Sequence, residues 1–91
     1  MIPKIEIHEL HPITFKSLKD FITDKELDEE YMILLHQKNF DQLVIDHLTE
    51  YNSSMEFPFY YLGIEIDEDI YNKVCRYQIG IIKSEKFNQL Y

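Results

Sequence analysis

The chain has 91 residues, and its 17 acidic side chains against nine Lys and Arg leave a formal net charge of −8. Hydrophobic residues make up 45% and aromatic residues 14%, with two Gly and three Pro, a composition that excludes a disordered segment in spite of the charge. A single domain over residues 1–91 is expected, and a domain of this size buries only somewhat more than ~60% of its unfolded surface.

The acids are not spread evenly. Between Asp20 and Asp69 stand fourteen acidic residues and two bases, Lys25 and Lys38, a net charge of −12, whereas residues 1–19 sum to +1 and residues 70–91 to +3. Such a field repels nucleic acid and acidic membranes and steers basic protein surfaces into encounter. No apolar run reaches membrane length, and neither a leader pattern nor a lipidation signal is present, so a cytoplasmic protein without membrane contact is expected. The one cysteine, Cys75, cannot form an internal disulfide, which agrees with a reducing compartment. Abundant Ile, Lys, Asn and Tyr with a single Arg suit an AT-rich genome, as in a low-GC bacterium or its phage.

In chain order, residues 2–8 alternate apolar and polar after Pro3, which predicts a short half-buried edge strand closed by Pro12. Phe15, Leu18, Phe21 and Ile22 follow at helical spacing, with Thr14 as the expected cap and an end near Thr23. Asp24 then stands where a second cap would, and acids at 26–30 precede an apolar stripe of Leu27, Tyr31, Leu34 and Leu35. This predicts a helix to about Lys38, the alternative being a buried strand from Tyr31 to His36. From residue 40 to 51, Phe40, Leu43, Val44, His47, Leu48 and Tyr51 fall on one face opposite Asp41, Asp46 and Glu50, which predicts a helix.

Asn52, Ser53 and Ser54 end that helix. Met55, Phe57, Phe59 and Tyr61 then alternate, and the phase slips at Gly63 to Leu62, Ile64 and Ile66, as in one strand with a bulge. Phe57, Phe59 and Tyr61 are expected in the core, with Tyr60 and Ile64 or Ile66 on the opposite, more exposed side. Asp67, Glu68 and Asp69 form the expected turn, and Cys75, Tyr77, Ile79 and Ile81 a return strand that pairs with it. A helix over the same stretch, with Gly80 as its C-cap, also fits, and Ser84 could cap a last helical turn. The sum is an α+β domain in two layers: an N-terminal strand, two to three helices, then a long β-hairpin packed on them. An all-α bundle is the alternative.

Few constellations carry chemistry. His8 and His11 lie three apart on a strand, where they point to opposite faces, and the second half of a zinc motif is missing. Glu65, Asp67, Glu68 and Asp69 lack the glycine and distal glutamate of a calcium loop. No phosphate loop, nucleophile elbow or Ser or Cys set beside a histidine is present, and Cys75 is expected as an inert core residue. The sequence therefore predicts neither an enzyme nor a cofactor or metal.

The expected partner surface is acidic and aromatic. It comprises Glu65, Asp67, Glu68 and Asp69 with Tyr60 and Tyr71, and a second set of Glu26, Asp28, Glu29 and Glu30 at a helix start. These features predict a binding protein that blocks a basic surface of a nucleic-acid-processing or defence enzyme, as inhibitors, immunity proteins and phage antidefence proteins do. Carboxylates on a rigid fold then occupy positions that phosphates would take, without direct nucleic-acid binding. The bases Lys73, Arg76, Lys83 and Lys86 depart from a pure nucleic-acid mimic. They favour a two-signed surface, or the alternative of a small assembly or adaptor protein that forms a homo-oligomer or bridges partners.

Overall fold

A computed structural model describes residues 4–83, so the expected helical turn after Ser84 and the first residues of the N-terminal strand lie outside the described residues. The first strand, β1, spans Glu6–Glu9. Helix α1 spans Phe15–Lys25 and starts where Thr14 predicts: Thr14 Oγ1 accepts from the Ser17 N–H at 3.1 Å, and Ser17 Oγ accepts from the Thr14 N–H at 2.8 Å. It ends two residues beyond the expected Thr23. Glu26 takes a left-handed conformation at φ 55°, the Glu26 N–H donates to Thr23 O, and the Leu27 N–H donates to Ile22 O. This paired closure satisfies the last carbonyls of the helix and turns the chain away.

The second expected helix, from Asp24 to Lys38, does not form. Asp24 belongs to the last turn of α1, and Tyr31–Leu35 is a strand, β2, as in the alternative from Tyr31 to His36. Asp28 prepares it: its carboxylate accepts from the Glu30 N–H at 2.9 Å and its carbonyl from the Tyr31 N–H at 3.1 Å. Ile33, Leu34 and Leu35 are buried although alternate residues face opposite sides of the sheet. A strand covered on both faces is apolar throughout, and such a run carries no period that separates it from a helix.

Helix α2 spans Gln37–Tyr51 and starts three residues before its expected first residue, because His36 Nδ1 accepts from the Lys38 N–H at 3.0 Å and caps it. Phe40 and Leu43 are buried and Val44 and His47 half-buried as expected, but Leu48 and Tyr51 are more than half exposed.

Beyond α2, the phase slip at Gly63 is a turn and not a bulge. Strand β3 is Phe59–Tyr61, strand β4 is Ile64–Glu68, and they pair antiparallel across Leu62 and Gly63, whose φ values of 53° and 81° meet the demand of a two-residue hairpin. The last described strand, β5, spans Gln78–Lys83, so the return segment is a strand and not a helix. It is not the partner of β4. The sheet order is β1-β5-β2-β4-β3: β5 runs antiparallel between β1 and β2, while β2 and β4 are parallel. The expected long hairpin fails because β2, expected first as a helix, takes the place beside β4, and the five strands rule out the all-helical alternative.

Both helices cover one face of the sheet. Leu18, Phe21 and Ile22 of α1 and Phe40 and Leu43 of α2 share a core with Ile33, Leu35, Ile64, Ile66, Ile79 and Ile81. Ile64 and Ile66, expected on the exposed side, are fully buried here, whereas Phe57, expected in the core, is 62% exposed with its ring 6.0 Å from that of Phe40. A second, smaller cluster lies on the other face, where Val74 packs with Leu34 and Ile82, flanked by Ile5, Met32 and Tyr71. Gly80 makes that contact possible, since a Cβ there would stand 2.7 Å from Val74 Cγ2 and 2.8 Å from Ile5 Cγ2.

Candidate functional site

Because side chains alternate across a strand, the run Glu65 to Asp69 is divided by the fold rather than gathered at a turn. Glu65 and Asp67 alternate with the buried Ile64 and Ile66 and therefore stand on the sheet face away from the helices. Glu68 stands on the helical side, level with Leu35. The register fixes their neighbours: one row across the open face reads Ile82, Met32, Glu65, Tyr60, and the next reads Ile7, Gly80, Leu34, Asp67. Along these two rows the face is apolar over β1, β5 and β2 and acidic over β4. Tyr60 is 44% exposed at its acidic edge, as expected of it.

Asp69 has a different task. It is buried, its Oδ1 accepts from the Tyr71 N–H at 2.9 Å, and its Oδ2 accepts from the N–H groups of Lys73 at 2.7 Å and Val74 at 2.8 Å. Its carboxylate shapes the loop that seats Val74 and the half-buried Tyr71 over the apolar half of the open face.

The second acidic set does not cap a helix start. Glu26 closes α1, and Asp28, Glu29 and Glu30 are exposed in the turn before β2. Tertiary structure nonetheless brings this turn toward the first set. Strands β2 and β4 are parallel neighbours that begin at Tyr31 and Ile64, so residues 28–30 and the Leu62–Gly63 turn open onto the same end of the sheet. Glu29, Glu30, Asp67 and Glu68 form no ion pair with a Lys or Arg among the described residues, so their charge is left to act outward. Leu62 was not singled out from sequence; it stands 53% exposed at the same end, and the signal was a residue before Gly between two alternating stretches.

The remaining chemistry-bearing residues are dispersed. His8 meets Glu6 at 2.6 Å, His11 stacks on Tyr77 with ring centroids 4.0 Å apart, His36 caps α2, and His47 Nδ1 lies 3.0 Å from Ser53 O. Among the described residues no three His, Cys, Asp or Glu converge as metal ligands would. Cys75, expected in the core, is exposed in the loop before β5. An open depression of about 350 Å³ between the start of α1 and α2 is lined by Thr14, Phe15, Lys16, Asp46, Thr49 and Glu50. Beside it, the Tyr61 hydroxyl donates to Phe15 O at 3.0 Å. Burial, and then the charges of Tyr51, Glu50 and Asp20, push its phenol above the usual 10.0.

No protein-family model, curated protein or solved structure matches this chain. No helix of the described residues is long and apolar enough to cross a membrane.

Proposed function

We propose that this chain is a non-enzymatic acidic binding protein that blocks a basic surface of a nucleic-acid-processing or defence enzyme, of the inhibitor, immunity or phage antidefence type. The observation that carries this reading is the placement of acids that form no ion pair with a Lys or Arg among the described residues. Asp67 stands on the open face of β4 beside the Glu65–Tyr60 pair, and Asp28, Glu29 and Glu30 open onto the end of the sheet nearest that pair. Carboxylates held on strands and tight turns are fixed in spacing, so they can occupy a basic groove at the positions of phosphates with little ordering cost. The exposed Tyr60 supplies an aromatic contact at their edge, of the kind enriched at interfaces. Lys73 and Arg76, exposed in the loop before β5, suit a partner whose basic site borders an acidic patch.

The test is affinity capture from host lysate with the natural chain and with the variant Glu30→Lys, Glu65→Lys, Asp67→Lys, at low and high salt, followed by mass spectrometry and an activity assay of the retained protein. A basic nucleic-acid enzyme is expected to be held at low salt, released at high salt, inhibited by the natural chain and missed by the variant, mainly through slower association. Equal retention by both chains removes the reading.

A second reading, an assembly or adaptor protein, draws on a different observation. Ile45, Leu48 and Tyr51 are each more than half exposed on α2. Sedimentation equilibrium separates the two: a salt-resistant homo-oligomer that dissociates on Ile45→Glu and Leu48→Glu supports assembly, and a monomer at all concentrations excludes it.

A further inference from the structure

We infer that residues 69–77 form a strap that opens as a unit, without unfolding of the helix-covered core, and so uncovers an apolar strip on the open face of the sheet. The inference does not rest on the proposed function. Because β2 lies between β4 and β5, the chain must pass across β2 to join them, and it does so with neither helix nor strand. What the strap covers is a separate cluster: Leu34, Val74 and Ile82, with Ile5, Met32 and Tyr71 beside them, lie on the side of the sheet away from the helices.

The strap is anchored at its two ends. The Asp69 N–H donates to Leu35 O at 2.8 Å, and at the far end the Tyr77 N–H donates to the buried Asn39 Oδ1 at 2.8 Å while Tyr77 O accepts from the Leu10 N–H at 2.9 Å. Between these anchors, the backbone N–H groups of Tyr71, Lys73 and Val74 all depend on one carboxylate, that of Asp69. The rest is turned outward. Ile70 is 78% exposed, and Asn72, Lys73, Cys75 and Arg76 are exposed as well.

Opening the strap therefore exposes one buried valine, two half-buried tyrosines, the buried Asp69 and the surface beneath them. Global unfolding must expose the whole helix-covered core, from Leu18 to Ile81. The smaller loss of buried area makes the local opening far more frequent than the global one. In the opened state Leu34 and Ile82 lose their cover, next to Met32 and on to the acidic half of the same face at Glu65 and Asp67.

The test is residue-resolved native-state hydrogen exchange on the full chain, at one pH and across low denaturant. After correction for intrinsic rates, the amides of Tyr71, Lys73 and Val74 are expected to exchange together, roughly 100-fold or more faster than those of Ile33, Leu43 and Ile66, and with a weaker denaturant dependence. Asp69→Asn, which removes the charge but keeps the size, should speed the three strap amides by about a further 10-fold and leave their weak denaturant dependence unchanged. Should that variant not fold, Val74→Ala supplies the same contrast. Strap amides that share the rates and denaturant slope of Ile33 and Ile66 in the natural chain would overturn the inference, because strap and core would then be one cooperative unit.

Discussion

The two faces of the sheet are closed by different means. On one, α1 and α2 cover Ile33, Leu35, Ile64, Ile66, Ile79 and Ile81 with a continuous core. On the other, a loop hung on Asp69 covers Leu34 and Ile82 with a single buried valine, and the half over β4 is left to Glu65, Asp67 and Tyr60. The difference teaches where stability and recognition separate in a small domain. A helix brings an apolar stripe of several side chains and satisfies its own backbone, whereas a loop must borrow hydrogen-bond partners from side chains. The helical face thus carries the stability, and the other face has room for charge.

Substitutions on each face test this division. Leu43→Ala, at a side chain with no exposed surface on the helical face, should cost the most, about 2 to 5 kcal/mol in urea unfolding. A loss under about 1 kcal/mol would mean that α2 does not close the main core. Asp69→Ala strips three backbone N–H groups of their acceptor, and a loss of about 1.5 to 3 kcal/mol is expected from the same measurement. If it proves neutral, water replaces the carboxylate and the second face is held by Val74 alone. Gly80→Ala overfills the joint between Val74 and Ile5, and about 1 to 3 kcal/mol should be lost. Exchange of the Tyr71, Lys73 and Val74 amides should quicken with it; unchanged rates there would mean that the contact of Gly80 with Val74 does not hold the loop.

The smallest effect belongs to pH. Because burial raises the Tyr61 phenol above 10.0, the neutral form is favoured in the folded chain. Its contribution to stability is complete below the unfolded value of 10.0 and is lost as pH rises through the higher folded value. Urea midpoints should fall on going to strongly alkaline pH, and less so in Tyr61→Phe. An equal fall in both chains would assign the alkaline loss to other groups.

Particular residues show how much was legible. Thr14 and the Phe15, Leu18, Phe21, Ile22 spacing announced α1, the Phe40–Val44 face announced α2, and the alternation up to Ile66 announced a strand, though as one bulged strand with Asp67 and Glu68 in a turn. These are local signals, set by side-chain period and by caps within a few residues. For the candidate surface, Tyr60 was legible from alternation and the acids from charge alone, while Asp69 was not separable from its neighbours, because its acceptor role depends on where residues 71–74 fold back.

The sequence by itself determined that this is a small α+β domain with segregated acidity, helices after Thr14 and around Phe40–Val44, and a strand through Ile64 and Ile66. Tertiary structure alone decided that Tyr31–Leu35 is a central strand, that β5 enters between β1 and β2, and that the 28–30 turn opens onto the same end of the sheet as Leu62. The reason is physical: caps and periodicity act over a few residues of chain, but strand order is fixed by hydrogen bonds and burial between segments tens of residues apart. An apolar run such as Met32 to Leu35 satisfies helix and strand equally until its neighbours are in place.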